Sequence, residues 1–198
     1  MMAESARDVP SLLDADAFRE WAWRQPEKWQ FISGALVMMA GASRTRTTIA
    51  GNLTGLFWDA LRGGRCRPHP SDLAVRVDRL NEFYPDIVVD CGSARDEAAE
   101  PILVVEILSP STEKDDRGRK WAAYRRLKSL RHYMLVAQDQ MVVELYTRSD
   151  AGWTLQVFET ADATVTIDSL DVSLWVSEIY EGVDLAAEAV IPPASARR

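Results

Sequence analysis

The chain has 198 residues, 47% hydrophobic and 27% charged, the size and balance of one globular domain with a real core. No apolar run approaches the roughly 18–20 residues of a membrane helix, and "MMAESARDVPSLLDADAF" lacks the basic head and apolar stretch of a secretory leader, so a cytoplasmic protein without a membrane partner is expected. The net charge of -7 argues against nucleic acid as a uniform partner, yet Glu113 to Arg131 carries eight basic against three acidic side chains, a local positive surface or a solvated helix face.

Residues 1–26 read as an N-terminal helical extension, with a short helix over Leu13 to Arg24 that starts near Asp14 or Asp16 and stops before Pro26. Residues 27–190 read as the main domain. Its first element, "WQFISGALVMM", predicts a hairpin turning near Ser33-Gly34. Thr45 to Leu61 spaces Ile49, Leu53, Leu56, Phe57 and Ala60 helically and ends at Gly63-Gly64. "DLAVRV" alternates, whereas "YPDIVV" and "PILVVEIL" are short apolar runs that predict buried strands. A second helix is expected over residues 115–128, then strands at "YMLVA" and "MVVELYT". "GWTLQVF" and "ATVTI" suggest one more hairpin, and residues 191–198 a disordered tail. Cys66 and Cys91 stand apart without zinc-type spacing and read as free thiols of a reducing compartment. This order predicts an α/β fold, helices packed around a mixed sheet with added hairpins, not a repeating βαβ wheel.

Three polar residues break the pattern. Glu106 sits near the end of an apolar strand, where a carboxylate is costly unless it meets a cation or a helix N-terminus. Asp86 opens another apolar strand, directly after Pro85. Two carboxylates at neighbouring strand ends can hold a hard divalent cation together with waters and phosphate oxygens. Lys120, on a helical wheel, lies at the centre of the apolar stripe that holds Ala123, Tyr124 and Leu127. Its counter-charge is either Asp116, four residues earlier, or the Asp86/Glu106 pair. A lysine paired with Asp116 alone would tolerate methionine without loss of stability. His69 and His132 lie apart from each other and from any motif, and Asp72 in "SDLAVRV" suits a turn cap better than a site.

The "PD" at a strand start, the glutamate on the next strand and the lysine resemble the PD-(D/E)xK nucleases, which have the restriction-endonuclease-like fold. In the usual pattern the lysine lies two residues after the glutamate, a place held here by Leu108. The segment "ILVVEILSPSTEKDDRGRKWAAY", preceded by "YPDIVV", is similar to the Uma-two family of small bacterial endonucleases in that superfamily, over roughly residues 27 to 180. In that family the lysine has moved onto the following helix, and Lys120 matches its place. The resemblance implies Mg²⁺ or Mn²⁺ held by Asp86, Glu106 and the carbonyl of Ile107, with Lys120 serving the phosphate or the attacking water. It implies DNA as substrate, met by the basic residues of 114–131 with Arg44 and Arg46, and leaves a homodimer open. Gln30, Ser33 and Ala35 stand where the family's first hairpin often carries acids, and Arg46 stands where it often has a histidine. These departures keep a second expectation alive, a non-catalytic module of the same fold that binds nucleic acid or a protein.

Overall fold

β-Branched and aromatic runs take up most of the strands, and the amphipathic stretches between them supply the helices that cover the sheet. The computed structural model describes residues 14–39 and 41–185, so the 191–198 tail and Leu13 lie outside the described residues. In chain order the elements are α1 (Ala15–Ala22), β1 (Trp29–Ile32), β2 (Ala35–Met38), α2 (Arg44–Ala60), β3 (Arg67–Pro70), β4 (Val75–Asp78), β5 (Asn81–Phe83), β6 (Ile87–Asp90) and β7 (Pro101–Leu108). A helical segment follows, α3 (Glu113–Asp115), a π-helical turn (Asp116–Lys120) and α4 (Trp121–Tyr124). The chain then runs through β8 (His132–Ala137), β9 (Val143–Ser149), β10 (Gly152–Phe158), β11 (Thr164–Ile167), β12 (Val172–Trp175) and α5 (Val176–Ile179). Among the described residues no helix is long and apolar enough to cross a membrane.

Six strands form the central sheet in the order β10-β9-β8-β7-β6-β3. Only the β7–β8 pairing is parallel, which makes the sheet mixed. One face buries Ile87, Val105, Ile107 and Met134 beneath Ile49, Leu53 and Phe57 of α2, with β11, β12 and α5 alongside. The other face buries Val88, Val104, Leu108 and Leu135 beneath Tyr124 of α4 and residues of the four-stranded sheet β2-β1-β5-β4. β10 closes one end of the large sheet. Among the described residues no strand pairs with its outer edge, and Leu155 and Val157 are 48% and 50% exposed there.

The first hairpin matches the sequence expectation, and several later elements depart from it, each for a local reason. The hairpin β1–β2 turns at Ser33 (φ 52°) and Gly34 (φ 79°), the left-handed pair that a tight hairpin requires. "GWTLQVF" pairs instead with β9 through a turn at Asp150-Ala151, and "ATVTI" pairs with β12. Alternation identifies a strand but not its partner. The helix expected over 115–128 spans Glu113–Tyr124 and contains the π turn. It stops early because Arg148 Nη2 donates to the carbonyl oxygens of Arg125 (2.5 Å) and Leu127 (2.7 Å), taking acceptors that another helical turn would use. β3 carries Pro68 and Pro70, which hides it as a strand. It lies at the sheet edge, where a missing N–H costs nothing.

The recovery of β3 also overturns the free-thiol reading. Arg67 pairs with Asp90, and one step further along that register Cys66 meets Cys91, the two Cα atoms 4.0 Å apart and the sulfurs joined in a disulfide. The thiol argument for a reducing compartment falls with it.

His132 opens β8 as a buried side chain, with Nδ1 3.2 Å from Thr147 Oγ1 and Nε2 without a partner. Burial, against the opposing charge of Asp168, lowers its pKa to about 4. A depressed histidine contributes stability that is complete above the unfolded value near 6.5 and is lost as pH falls toward 4. His132→Leu is therefore expected to flatten the fall in urea-melt stability between about pH 6.5 and pH 4, a change on the order of 2 kcal/mol. An identical fall in both proteins would remove His132 from the acid response.

Candidate active site

β6 and β7 run antiparallel with Ile87 opposite Val105. Asp86 directly precedes this paired run, and Glu106 directly follows Val105 on the neighbouring strand. Ile107 joins the two, its backbone N–H donating to Asp86 Oδ2 at 2.7 Å. The two carboxyl groups thus stand at neighbouring strand ends, with Glu106 turned toward the 113–124 segment.

Lys120 reaches that place from the helical segment. Its Nζ lies 3.0 Å from Glu106 Oε1 and 2.8 Å from Asp116 Oδ1. Asp116 and the Glu106 half of the expected Asp86/Glu106 pair are thus engaged at once, by an ammonium whose side chain is 3% exposed. Tyr124 donates its hydroxyl to Glu106 Oε1 at 3.1 Å, and Tyr133 donates to the Asp116 carbonyl at 2.9 Å. The π turn holds Asp116 and Lys120, and such turns often mark functional sites. Leu108, the usual lysine place, is buried among apolar side chains.

The cluster is not fully satisfied. Glu106 Oε2 is buried without a hydrogen-bond donor, and neither Asp116 oxygen accepts a well-directed hydrogen bond. Burial first, and then the charges of Asp116 and Asp86, push the Glu106 carboxyl up to about 8 against the pull of Lys120. Burial opposes the charge on Lys120, but Glu106 and Asp116 outweigh it and raise its pKa. Tyr124, fully enclosed and facing Glu106, is raised well above an ordinary phenol and stays a donor.

Asp86 has a partner that the sequence did not disclose. Arg46, in the first turn of α2, donates Nε to Oδ1 at 3.0 Å and Nη2 to Oδ2 at 2.8 Å. Ser43 Oγ caps the helix by accepting the Arg46 N–H at 3.1 Å, and donates in turn to Gln138 Oε1 at 2.9 Å. The only forewarning was an arginine where related chains often place a histidine.

The oxygen-rich donor set suits a hard cation, and the unpartnered Glu106 Oε2 is the atom most available to one. Among the described residues, however, no three His, Cys, Asp or Glu side chains converge as a ready metal cage. Of the hairpin positions, Gln30 is buried and accepts the Tyr84 N–H at 3.4 Å, while Ser33 and Ala35 are exposed at the turn. Asp72 pairs with Lys28 on the surface and takes no part. A second buried carboxylate, Glu82, is held by Arg19 at 2.8 Å and Arg76 at 3.2 Å, a structural network with every charge answered.

About half of the expected basic surface is neutralised in place. Arg117 pairs with Glu144 and Glu113, Arg119 with Asp115, and Arg126 with Asp78. Among the described residues, Arg44, Lys114, Arg125, Lys128 and Arg131 are exposed and have no carboxylate within ion-pair distance.

Comparison with known proteins agrees with this architecture. Residues 15–179 match the Uma2 family model, described as "Putative restriction endonuclease". "Uncharacterized protein slr1290" of Synechocystis is 33% identical over 189 residues, covering 92% of this chain and 99% of that protein. "Uncharacterized protein sll1609" of the same organism is 27% identical over 152 residues, covering 73% of this chain and 86% of that one. The crystal structure of a "putative nuclease belonging to DUF820" from Anabaena variabilis aligns with a TM-score of 0.68 at 19% identity, covering 85% of this chain and 98% of that one. The restriction-endonuclease-like α/β fold expected from the sequence, a mixed sheet flanked by helices and hairpins, is the fold found.

Proposed function

This chain belongs to the Uma2 family, and from that membership we propose that it is an endonuclease that hydrolyses DNA phosphodiester bonds with Mg²⁺ or Mn²⁺ held at Asp86 and Glu106. The observation that carries the reading is the cluster of carboxyl groups at the sheet end with unsatisfied oxygens. Asp86, Glu106 and Asp116 meet only two cations, Arg46 and Lys120, and Glu106 Oε2 is buried without a donor. Burial favours the protonated form of Glu106 in the free protein, and a divalent cation taking the place of that proton would complete the cluster.

A bound divalent cation would polarise the scissile phosphate and acidify a water. The chain's own residues would do the rest. Asp86 and Glu106 present oxygens from adjacent strands. The Ile107 carbonyl, next along the strand from Glu106, would supply a third contact. Lys120 and Tyr124 both engage Glu106 Oε1, which leaves Oε2 as the ligand oxygen. Lys120 also fixes a positive charge where negative charge develops in the reaction.

The test is nicking of supercoiled plasmid, paired with a Mn²⁺ titration. Nicking that needs the divalent cation and is lost in Asp86→Asn supports the reading. Absence of both nicking and Mn²⁺ binding would leave the inactive nuclease-fold module, a reading favoured by the Arg46 fork on Asp86.

The unpaired cations give a separate expectation. Alanine at Arg44, Lys114 or Arg125 should each reduce the slope of log K against log salt by about 0.9, the effect of one lost phosphate contact. Alanine at Arg119, already paired with Asp115, should leave the slope unchanged. Fluorescence-anisotropy titrations at several salt concentrations measure this, and equal slopes throughout would place the DNA elsewhere.

A further inference from the structure

We propose that Arg46 serves two anions in turn, Asp86 in the free protein and a substrate phosphate once a divalent cation has taken Asp86. Metal loading and substrate binding are then coupled through one side chain. The inference rests on the metal-site reading above and goes beyond it by assigning Arg46 a role.

The geometry of the fork comes first. Nε and Nη2 engage both oxygens of Asp86 at 3.0 and 2.8 Å, and the Ile107 N–H takes Oδ2 as well. A cation cannot simply add beside this arrangement. A divalent cation and a guanidinium a few ångströms apart repel strongly at the effective dielectric near a protein surface. Metal entry at Asp86 is therefore an exchange in which the guanidinium leaves.

The guanidinium is placed to leave. Among the described residues Asp86 is its one side-chain acceptor. Its backbone is fixed by the Ser43 cap, whereas its side chain is 15% exposed. Lys120 is the opposite case, a sealed ammonium held by two carboxylates. The site thus has one fixed cation and one movable cation.

The destination follows from the chemistry. A displaced guanidinium has lost its counter-charge, and a phosphodiester offers two oxygens in the geometry that the carboxylate offered. Arg44, two residues earlier, is exposed and adds to the positive field at this end of α2. Phosphate that draws Arg46 away raises metal affinity, and metal that displaces Arg46 raises phosphate affinity, because the coupling is reciprocal.

The test reads Mn²⁺ binding directly, from the electron paramagnetic resonance signal of the free ion. The full chain is compared with Arg46→Ala, Arg46→Lys and Asp86→Asn, each alone and with a hydrolysis-resistant phosphorothioate DNA duplex, after subtraction of Mn²⁺ bound by duplex alone. The duplex should tighten Mn²⁺ binding by the wild-type chain about tenfold. Arg46→Ala should bind Mn²⁺ about tenfold more tightly than wild type without duplex, and gain less than about threefold from it. Arg46→Lys keeps the charge without the fork and should fall between. Circular dichroism checks the fold, and Arg46→Gln takes the place of alanine if the alanine variant unfolds. Mn²⁺ binding by Arg46→Ala that is no tighter than wild type, or that keeps the full duplex enhancement, overturns the coupling alone. Asp86→Asn binding Mn²⁺ as well as wild type overturns the metal site, and the coupling with it.

Discussion

Lys120→Met is expected to cost about 3–5 kcal/mol of stability at neutral pH, the usual result of removing one partner from a buried ion pair. A lysine paired with Asp116 alone would have predicted little change. The structure overturns that premise, because one ammonium serves Glu106 and Asp116 together. Methionine fills the space but strands two buried carboxylates. Both would then favour protonation in the fold, so the loss should be full near pH 8 and shrink as pH falls toward the ordinary carboxylate value near 4. Urea melts of the two proteins at several pH values measure it. Equal stability at pH 8 would show that Lys120 is not the group holding the cluster together.

Glu106→Gln should separate chemistry from stability in the opposite direction. Glutamine keeps an acceptor for Lys120 and Tyr124 and removes a carboxylate whose burial raises its pKa. Stability at neutral pH should hold, since burial already favours the protonated carboxyl, glutamine is a neutral group of nearly the same shape, and Asp116 still answers Lys120. Metal-dependent nicking should fall by about 10²-fold or more, the scale of losing one preorganised electrostatic group. Melting curves and nicking assays on the same preparations give both numbers. Wild-type nicking by the glutamine variant would remove Glu106 from the site.

Much of this site was legible because its residues violate local rules. Glu106 stood out as a charge in an apolar strand, Lys120 as a charge in an apolar stripe, and Asp86 as an acid at a proline-marked strand start. The fold class followed from runs whose periodicity is strong. What stayed hidden depends on long-range geometry. Arg46 looks like any arginine in the first turn of a helix, and only the folded chain brings it to Asp86, 40 residues on. Tyr124 sat on the stripe as packing, and its hydroxyl bond to Glu106 needs coordinates to see. The strand with two prolines was invisible to propensity, and with it the Cys66–Cys91 bond.

The outer edge of β10 has a consequence for how the protein behaves in concentrated solution. Strands at sheet margins are commonly guarded by lysine, proline, a bulge or short length, because open N–H and C=O groups invite another chain. Gly152–Phe158 has seven residues in unbroken register with β9, no charge and no proline, and two half-exposed aliphatic side chains. Reversible self-association through this margin is therefore the first colloidal hazard to expect, ahead of any general stickiness of the surface. A single guard should be enough to reveal it. Val157→Lys places a charge on that strand, far from Asp86 in the strand order. It should reduce concentration-dependent light scattering and leave Mn²⁺ binding as it was. Scattering that rises equally in both proteins would acquit this edge.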